Sequence, residues 1–269
     1  MRGRGHMPDA MGGTVLAEQR QRRLLTYIAE RHSAQVSELS SLFGVSMSTV
    51  RRDLQDMEGR DLVRRVHGGA LLLTEHAAVL EVEIVQRAVA RAEIKLRIGA
   101  AGAALVRDGS TIIVTGGTTT EAMIPSLAGK SGLTVITNAL NIANRLAAIP
   151  SIDVVVLGGW LRHAEQSLLG HLTTQALADL RADQIFYGVF GVDPLLGLTG
   201  TYIREVQTDR TLIATARELI VLADGSKFAQ SGPARVVPID AVSAMVTDRE
   251  APAEGVRALR ERGIAVVLA

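Results

Sequence analysis

The chain has 269 residues, is 47% hydrophobic and 3% aromatic, contains no cysteine and carries a formal net charge of +1. This composition allows a sizeable aliphatic core and excludes wholesale disorder, disulfides, thiolate metal sites and cysteine nucleophiles. No run of about 18 uninterrupted apolar residues occurs, so no spanning helix or membrane partner is expected, and a cytoplasmic location is the simplest reading. The charge is uneven along the chain. Residues 1–70 hold 11 Arg against 8 acids, whereas residues 71–269 hold 18 basic against 20 acidic groups. A mildly basic head on a near-neutral body hints at an anionic partner for the head.

Residues 1–17 include "MRGRGHMPDAMGG", two arginines with no apolar stretch behind them, and read as a flexible tail rather than a signal peptide. From Leu16 to Arg31, Leu24, Leu25 and Ile28 recur at helical spacing among charged residues, which predicts an amphipathic helix. Ser37 can cap a short helix from Glu38 to Phe43, Gly44 permits a tight turn, and Ser46 can cap a third helix to about Glu58. "DLVRRVHGGALLL" alternates around Gly68-Gly69 and predicts a glycine-tipped hairpin. Three helices and a hairpin are the layout of a winged helix-turn-helix, assigned to residues 18–73.

Residues 74–90 read as a linker. The rhythm then changes over 91–269. Apolar runs "TIIV", "LTVIT", "IDVVVL", "QIFYGVF", "LIVLA", "AMVT" and "IAVVL" are mostly separated by segments of helical spacing. Near-continuous apolar strands between helices predict a mostly parallel sheet covered on both faces, so the fold class is α/β.

The third predicted helix carries adjacent arginines, Arg51 and Arg52. On a helical wheel Val50, Leu54 and Met57 share one narrow inward face, while Ser48, Arg52 and Gln55 lie opposite and Arg51 on the flank. In a helix-turn-helix the second helix enters the major groove with its first turns at the base edges. Arginine can pair with guanine or with phosphate, and two neighbours pointing about 100° apart suit one contact of each kind. The wheel does not fix which arginine takes which role. The competing reading is a solvated helix face with an Arg–Asp pair through Asp53 or Asp56. The candidate DNA-binding set is Ser46, Ser48, Thr49, Arg51, Arg52 and Gln55 on the helix. Arg64, Arg65 and His67 join it on the hairpin, near phosphates or a minor groove.

"RQRRLLTYIAERHSAQVSELSSLFGVSMSTVRRDLQDMEGRDLVRRVHGGA" closely resembles the head of the DeoR family of bacterial transcriptional repressors. The resemblance continues through "GGTTT", "LTVITNALNIANRLA", "VVVLGGWLR", "SLLG", "RADQIFYGVFGVD", "GLTG", "LADGSKF" and "MVTD", covering roughly residues 18–250. It implies a sugar-responsive regulator whose C-terminal domain is similar in fold to ribose-phosphate isomerases and senses a phosphorylated sugar or related metabolite. The implied protein is not an enzyme: it has no catalytic residues, metal or cofactor, its partners are operator DNA and the effector, and it forms a homo-oligomer, dimer or tetramer. A sugar-phosphate isomerase with a fused DNA-binding head is the alternative; Asp193, Glu205 and Asp224 would be its acids, but no clean acid/base pair is apparent.

In a parallel α/β sheet, ligands collect beyond the carboxyl ends of the strands. Those ends supply Gly116, Gly117, Thr118, Thr119 and Thr120 after the first strand, glycines and hydroxyls at a helix start that suit phosphate. Later ends supply Asn138, Gly191, Asp193, Asp224 and Lys227. Lysine is scarce, with only Lys95, Lys130 and Lys227 against 26 arginines, which makes Lys227 at a strand end noticeable. "TGGTTT" is not the dinucleotide-binding GxGxxG. Glu205 fits an acidic position of the resembled family. Thr115 stands where that family usually has an acid, and Asp209 near where it has a base, so the effector is expected to differ from that of the familiar members.

Overall fold

A computed structural model describes residues 20, 21, 24, 25, 27, 28, 33–59, 62–66, 68–72 and 84–269. The chain divides into two compact units, 1–82 and 83–269.

In the first unit, Arg20, Gln21, Leu24, Leu25, Tyr27 and Ile28 are helical; the rest of the helix expected over 16–31 lies outside the described residues. Strand β1 (Ser33–Gln35), helices α1 (Val36–Phe43) and α2 (Met47–Glu58), and strands β2 (Val63–Val66) and β3 (Gly69–Leu72) follow. The three strands form an antiparallel sheet in the order β1-β3-β2. Helix α1 begins two residues before its expected start, and Gln35 takes the cap position rather than Ser37. The cause lies at the sheet: the Val36 N–H donates to the Gly68 carbonyl at 2.8 Å, and Glu38 accepts the Gln35 N–H at 3.4 Å. Gly44 closes α1 at φ 63°, a left-handed conformation that glycine adopts without penalty. Leu24, Ile28, Leu39, Val50, Leu54, Met57 and Val63 are the fully buried centre of this unit. Helix, tight turn, capped helix and hairpin together form a winged helix-turn-helix.

The second unit is built on a seven-stranded, wholly parallel sheet. Its strands are β4 (Thr111–Val114), β5 (Thr134–Thr137), β6 (Asp153–Val156), β9 (Ala182–Gly188), β12 (Ala216–Leu222), β14 (Ala244–Thr247) and β15 (Ala265–Leu268), in the order β15-β14-β12-β9-β4-β5-β6. Each coincides with one of the seven apolar runs. Successive residues feed opposite cores: Ile113, Ile136, Ile185 and Val221 pack on one face, Ile112, Val135, Phe186 and Ile220 on the other. Helices α3 (Ile84–Val89), α4 (Ala92–Ala104), α5 (Thr118–Glu121), α6 (Leu140–Leu146), α7 (His171–Leu177), α8 (Ile203–Thr215) and α9 (Ala253–Glu261) pack around the sheet. One segment of helical spacing, "EAMIPSLAG", is split into the end of α5 and a 3-10 turn at Ile124–Leu127, where Pro125 cannot continue the α ladder. A hairpin β7 (Trp160–Arg162)–β8 (Ser167–Leu169) and a small antiparallel sheet of β10 (Gly191–Asp193), β11 (Gly197–Gly200) and β13 (Ala234–Val237) complete the unit. Because every strand of the large sheet runs the same way, all seven carboxyl ends share one rim. Among the described residues no helix is long and apolar enough to cross a membrane.

Candidate DNA-reading helix and anion site

Helix α2 starts from a built cap. The Ser46 hydroxyl oxygen accepts the Thr49 N–H at 3.2 Å and lies 2.8 Å from both the Ser48 and Thr49 hydroxyls. Val50, Leu54 and Met57 are buried; Ser48, Arg51, Arg52 and Gln55 are exposed. The carboxylates nearest the arginine doublet in sequence are engaged elsewhere. Asp53 is buried and accepts Arg20 Nε at 2.6 Å, Arg20 Nη2 at 3.1 Å and Gln21 Nε2 at 3.2 Å. Asp56 accepts Gln21 Nε2 at 3.2 Å. Among the described residues, neither Arg51 nor Arg52 has an ion-pair partner, so the Arg–Asp alternative through these acids does not form. On β2, Arg64 is exposed, while Glu58 at the end of α2 holds Arg65 by its backbone N–H (2.8 Å) and its Nε (3.3 Å). That pair ties the wing to the helix. His67 lies outside the described residues.

In the second unit, the loop after β4 is knitted to β9. The Thr115 hydroxyl accepts the Gly188 N–H at 3.2 Å, so it fills a backbone role at the position where the resembled family usually has an acid. Gly117 has φ 139°, and Thr120 donates its hydroxyl to the Gly117 carbonyl at 2.9 Å. Thr119 and Thr120 are buried, whereas Gly116, Gly117 and Thr118 are half-exposed and supply the open part of the loop. A Cβ placed on Gly116 would lie within 3.8 Å of Ala139, Glu165 and Ser167, which brings the β5–α6 loop and the β7–β8 hairpin to the same place. There Asn138 is buried; its Nδ2 donates to the Leu168 carbonyl at 3.1 Å, and its Oδ1 has no partner among the described residues. A buried acceptor without a donor is unusual and is satisfied by a ligand hydroxyl or a water.

Charge surrounds this loop. Arg162 is bonded to Glu205, which also accepts the Ser167 hydroxyl at 3.0 Å, and the Arg162 guanidinium lies 4.6 Å from the centre of the Tyr202 ring. Arg87 pairs with Glu165. Arg91 reaches Asp224 (3.2 Å), Asp248 (3.0 Å) and Glu250 (2.8 Å). Lys95 is buried and donates to the Arg87 carbonyl. Burial pushes the Lys95 amine down to about 8, against the opposing pull of Asp224, with Lys227, Arg87 and Arg91 lowering it further. Lys227 is lowered by burial too, with Asp224 opposing. The two lysines share Asp224, Arg87 and Arg91 as electrostatic neighbours, so both belong to one charged cluster. Deeper in the unit, Tyr187 donates to Asp209 Oδ2 at 2.9 Å, and burial raises the Asp209 carboxyl to about 7.

The sequence pattern of the DeoR-like helix-turn-helix domain matches residues 20–76, and that of the DeoR C terminal sensor domain matches residues 90–249. The chain belongs to the DeoR family. Relatives include the HTH-type transcriptional repressor CsqR of Escherichia coli K12, 33% identical over 91% of this chain and 93% of that one. The glycerol-3-phosphate regulon repressor of the same strain is 30% identical, over 93% and 98%. The HTH-type transcriptional repressor GlcR of Bacillus subtilis 168 is 29% identical, over 86% and 88%. Among solved structures, ribose 5 phosphate isomerase A from Neisseria gonorrhoeae overlaps 52% of this chain and 54% of its own at 17% identity and a TM-score of 0.39, a likeness too slight to bear on activity.

Within this DeoR-family sensor the expected residues divide. Gly116, Gly117, Thr118 and Asn138 meet at one loop cluster, and Glu205 is joined to it through Ser167. Lys227 stands in the cationic cluster with Asp224, whose Oδ1 accepts the Ser226 N–H and hydroxyl and lies 3.2 Å from Arg91 Nε. Gly191 and Asp193 serve the β10–β11 hairpin. A Cβ on Gly191 would fall 2.2 Å from the Gln230 carbonyl oxygen, and Asp193 Oδ1 accepts the N–H groups of Leu195 and Leu196 at its tip. Sequence reasoning missed Lys95, Arg87, Arg91 and Arg162. For Lys95 a signal existed in the scarcity of lysine, but it does not lie at a strand end, where the sequence reading sought ligand contacts.

Proposed function

We propose that the protein is an operator-binding transcriptional repressor whose sensor domain takes a phosphorylated sugar or related metabolite and thereby loosens its hold on DNA. The observation that carries the DNA reading is the Arg51–Arg52 doublet: exposed, on a capped helix, with its neighbouring carboxylates tied to Arg20 and Gln21. Such a doublet has a use on an anionic groove and none in the fold. The names of the relatives, repressors of a glycerol-3-phosphate regulon among them, support the same reading.

For the effector, half-exposed Gly116, Gly117 and Thr118 offer backbone N–H groups, and the Lys95–Lys227 cluster offers positive charge, both of which suit a phosphate. The unpartnered Asn138 Oδ1 suits a sugar hydroxyl. The acids that an isomerase would use each serve the fold through at least one oxygen: Asp193 Oδ1 in a turn, Glu205 with Arg162 and Ser167, Asp224 Oδ1 with Ser226 and Arg91. This favours binding over catalysis. Heads are taken to act in pairs on two half-sites, since one helix-turn-helix offers few base contacts. The test is binding of the full chain to DNA from upstream of its own gene and neighbouring genes, against scrambled DNA of equal length. Specific binding of one fragment, lost in the double variant Arg51→Ala/Arg52→Ala, is expected. Equal affinity for all fragments, or no change in the double variant, would overturn the reading.

A further inference from the structure

Helix α3, the first described element of the second unit, has only six residues, too few to hold a helix by itself. It is tied down from outside at three points. Ile84 is buried, and its N–H donates to the Ala164 carbonyl in the β7–β8 turn at 3.0 Å. Arg87 pairs with Glu165 of the same turn. Lys95 donates its ammonium to the Arg87 carbonyl, one of the last carbonyls of α3, which have no partner inside the helix. The chain then passes through Arg91 at φ 56°, a left-handed conformation that a residue other than glycine keeps only where its surroundings hold it. Asp224, Asp248 and Glu250 hold it through the guanidinium.

The same fastenings stand against the loop after β4. Helix α3 packs on α5. The Glu165 carbonyl oxygen lies 3.7 Å from where a Cβ on Gly116 would be. Lys95 is placed by α4. That helix ends at Ala104, before β4 begins at Thr111, so its start lies at the carboxyl rim and it runs down beside α5. A Cβ on Gly99 would fall 2.6 Å from the Ala122 carbonyl carbon, so the two helices touch there. Lys95 is one turn above Gly99 on the same side, as Thr118 is one turn above Ala122. One buried ammonium therefore serves the end of α3 and stands level with the residues whose N–H groups suit phosphate.

We propose that α3 is a strap released by the effector's phosphate: bound at Gly116–Thr118, the phosphate draws the Lys95 ammonium from the Arg87 carbonyl, and α3 loosens from the β7–β8 turn. An ammonium–phosphate contact has charge on both partners and an ammonium–carbonyl contact on one, so the exchange favours phosphate. An effector shifts DNA affinity only through an element with two arrangements that it prefers differently. The strap supplies such an element, and it is the first described one beyond the unit that carries α2. Fastened, it favours operator binding; loosened, it does not. This deepens the proposed function and rests on its reading of a phosphorylated effector.

Hydrogen–deuterium exchange, read by mass spectrometry on the full chain, tests the strap. The probe is inorganic phosphate at about 50 mM, with chloride of equal ionic strength as the reference. Phosphate is expected to protect residues 115–121 and to speed exchange in residues 84–91 by roughly fivefold or more, with β4 and β9 unchanged. Lys95→Met and Glu165→Gln each remove one fastening. Both are expected to speed exchange in 84–91 without phosphate and to weaken binding to the best upstream fragment by about five- to tenfold, and Lys95→Met to abolish the phosphate effect on that segment. Exchange in β4 and β9 checks the fold; should Lys95→Met not fold, Glu165→Gln, at a less buried position, decides alone. Protection of 115–121 with 84–91 unchanged, or variants with a loosened α3 and full operator affinity, would overturn the strap and leave the phosphate reading standing. No protection of 115–121 would overturn both.

Discussion

Adjacent residues on α2 should give opposite phenotypes. Arg52 is exposed with no ion-pair partner among the described residues, so Arg52→Ala should change folding stability by no more than about 0.5 kcal/mol. If Arg52 reads a base edge, its loss should cost about 1–3 kcal/mol of operator affinity, roughly 5- to 150-fold, and relax sequence preference. Asp53 is buried and holds Arg20 and Gln21. Asp53→Asn removes the charge from that junction, and hydrogen bonds to charged groups contribute about 1.5–3 kcal/mol, discounted somewhat because Arg20 is a quarter exposed. The head should lose about 1–2 kcal/mol of stability and retain near-normal operator affinity when folded. Chemical denaturation and fluorescence anisotropy on labelled operator measure both quantities. Repeating the anisotropy over a salt series separates the arginines: removing a phosphate contact should lower the log–log salt slope by about 0.9, and removing a base contact should leave it nearly unchanged. A destabilised Arg52→Ala, or an Asp53→Asn protein that is fully stable yet cannot bind operator, would refute this division of the helix into an inward and an outward face.

Other perturbations probe the sensor. Gly117→Val should strain a φ of 139° and set a side chain about 3.1 Å from the Thr120 hydroxyl; calorimetry should show effector binding lost while operator affinity without effector stays. Lys95 titrates near 8 because burial disfavours its charge, so it is charged below that pH and neutral above it. Effector affinity should therefore be highest from about pH 6.5 to 7 and fall as pH rises through 8, by up to roughly tenfold per unit beyond it, and Lys95→Met should be weaker and flatter over pH 7–9. For Asp209, a carboxyl raised to about 7 from 3.8 stabilises the fold fully below about pH 4, and this contribution is lost as pH rises through 7. Asp209→Asn should consequently melt higher than the unsubstituted protein at pH 8, with the gap shrinking by pH 5.5.

The seven main strands are legible in the sequence because a parallel sheet buried on both faces leaves near-continuous apolar runs such as "TIIV" and "AMVT". The short strands of β7, β8, β10, β11 and β13 are not, being three or four residues long, and all but β8 have glycine, arginine or aspartate among them. The cap of α2 can be read locally, since Ser46 and Thr49 are three residues apart. The start of α1 cannot, because it is set by Gly68 across the sheet. The same contrast governs the sites. The arginine doublet follows from helical period alone, whereas the cationic cluster joins Arg87 to Glu165 and Arg91 to Asp224 over long stretches of chain. Local turn chemistry also mimics a ligand position: Asp193 sits at a strand end yet holds the next two N–H groups of its own hairpin.

The most direct test of the account is operator release. The full chain, bound to its best upstream fragment, is titrated with a panel of sugar phosphates, each matched with its unphosphorylated parent, while anisotropy follows the DNA. At least one phosphorylated compound should weaken operator affinity tenfold or more, a coupling of about 1.4 kcal/mol, with its parent inert and Gly117→Val unresponsive. A protein that holds specific DNA unchanged across the panel, or responds equally to parent and phosphate, would contradict the claim that the sensor reads a phosphate.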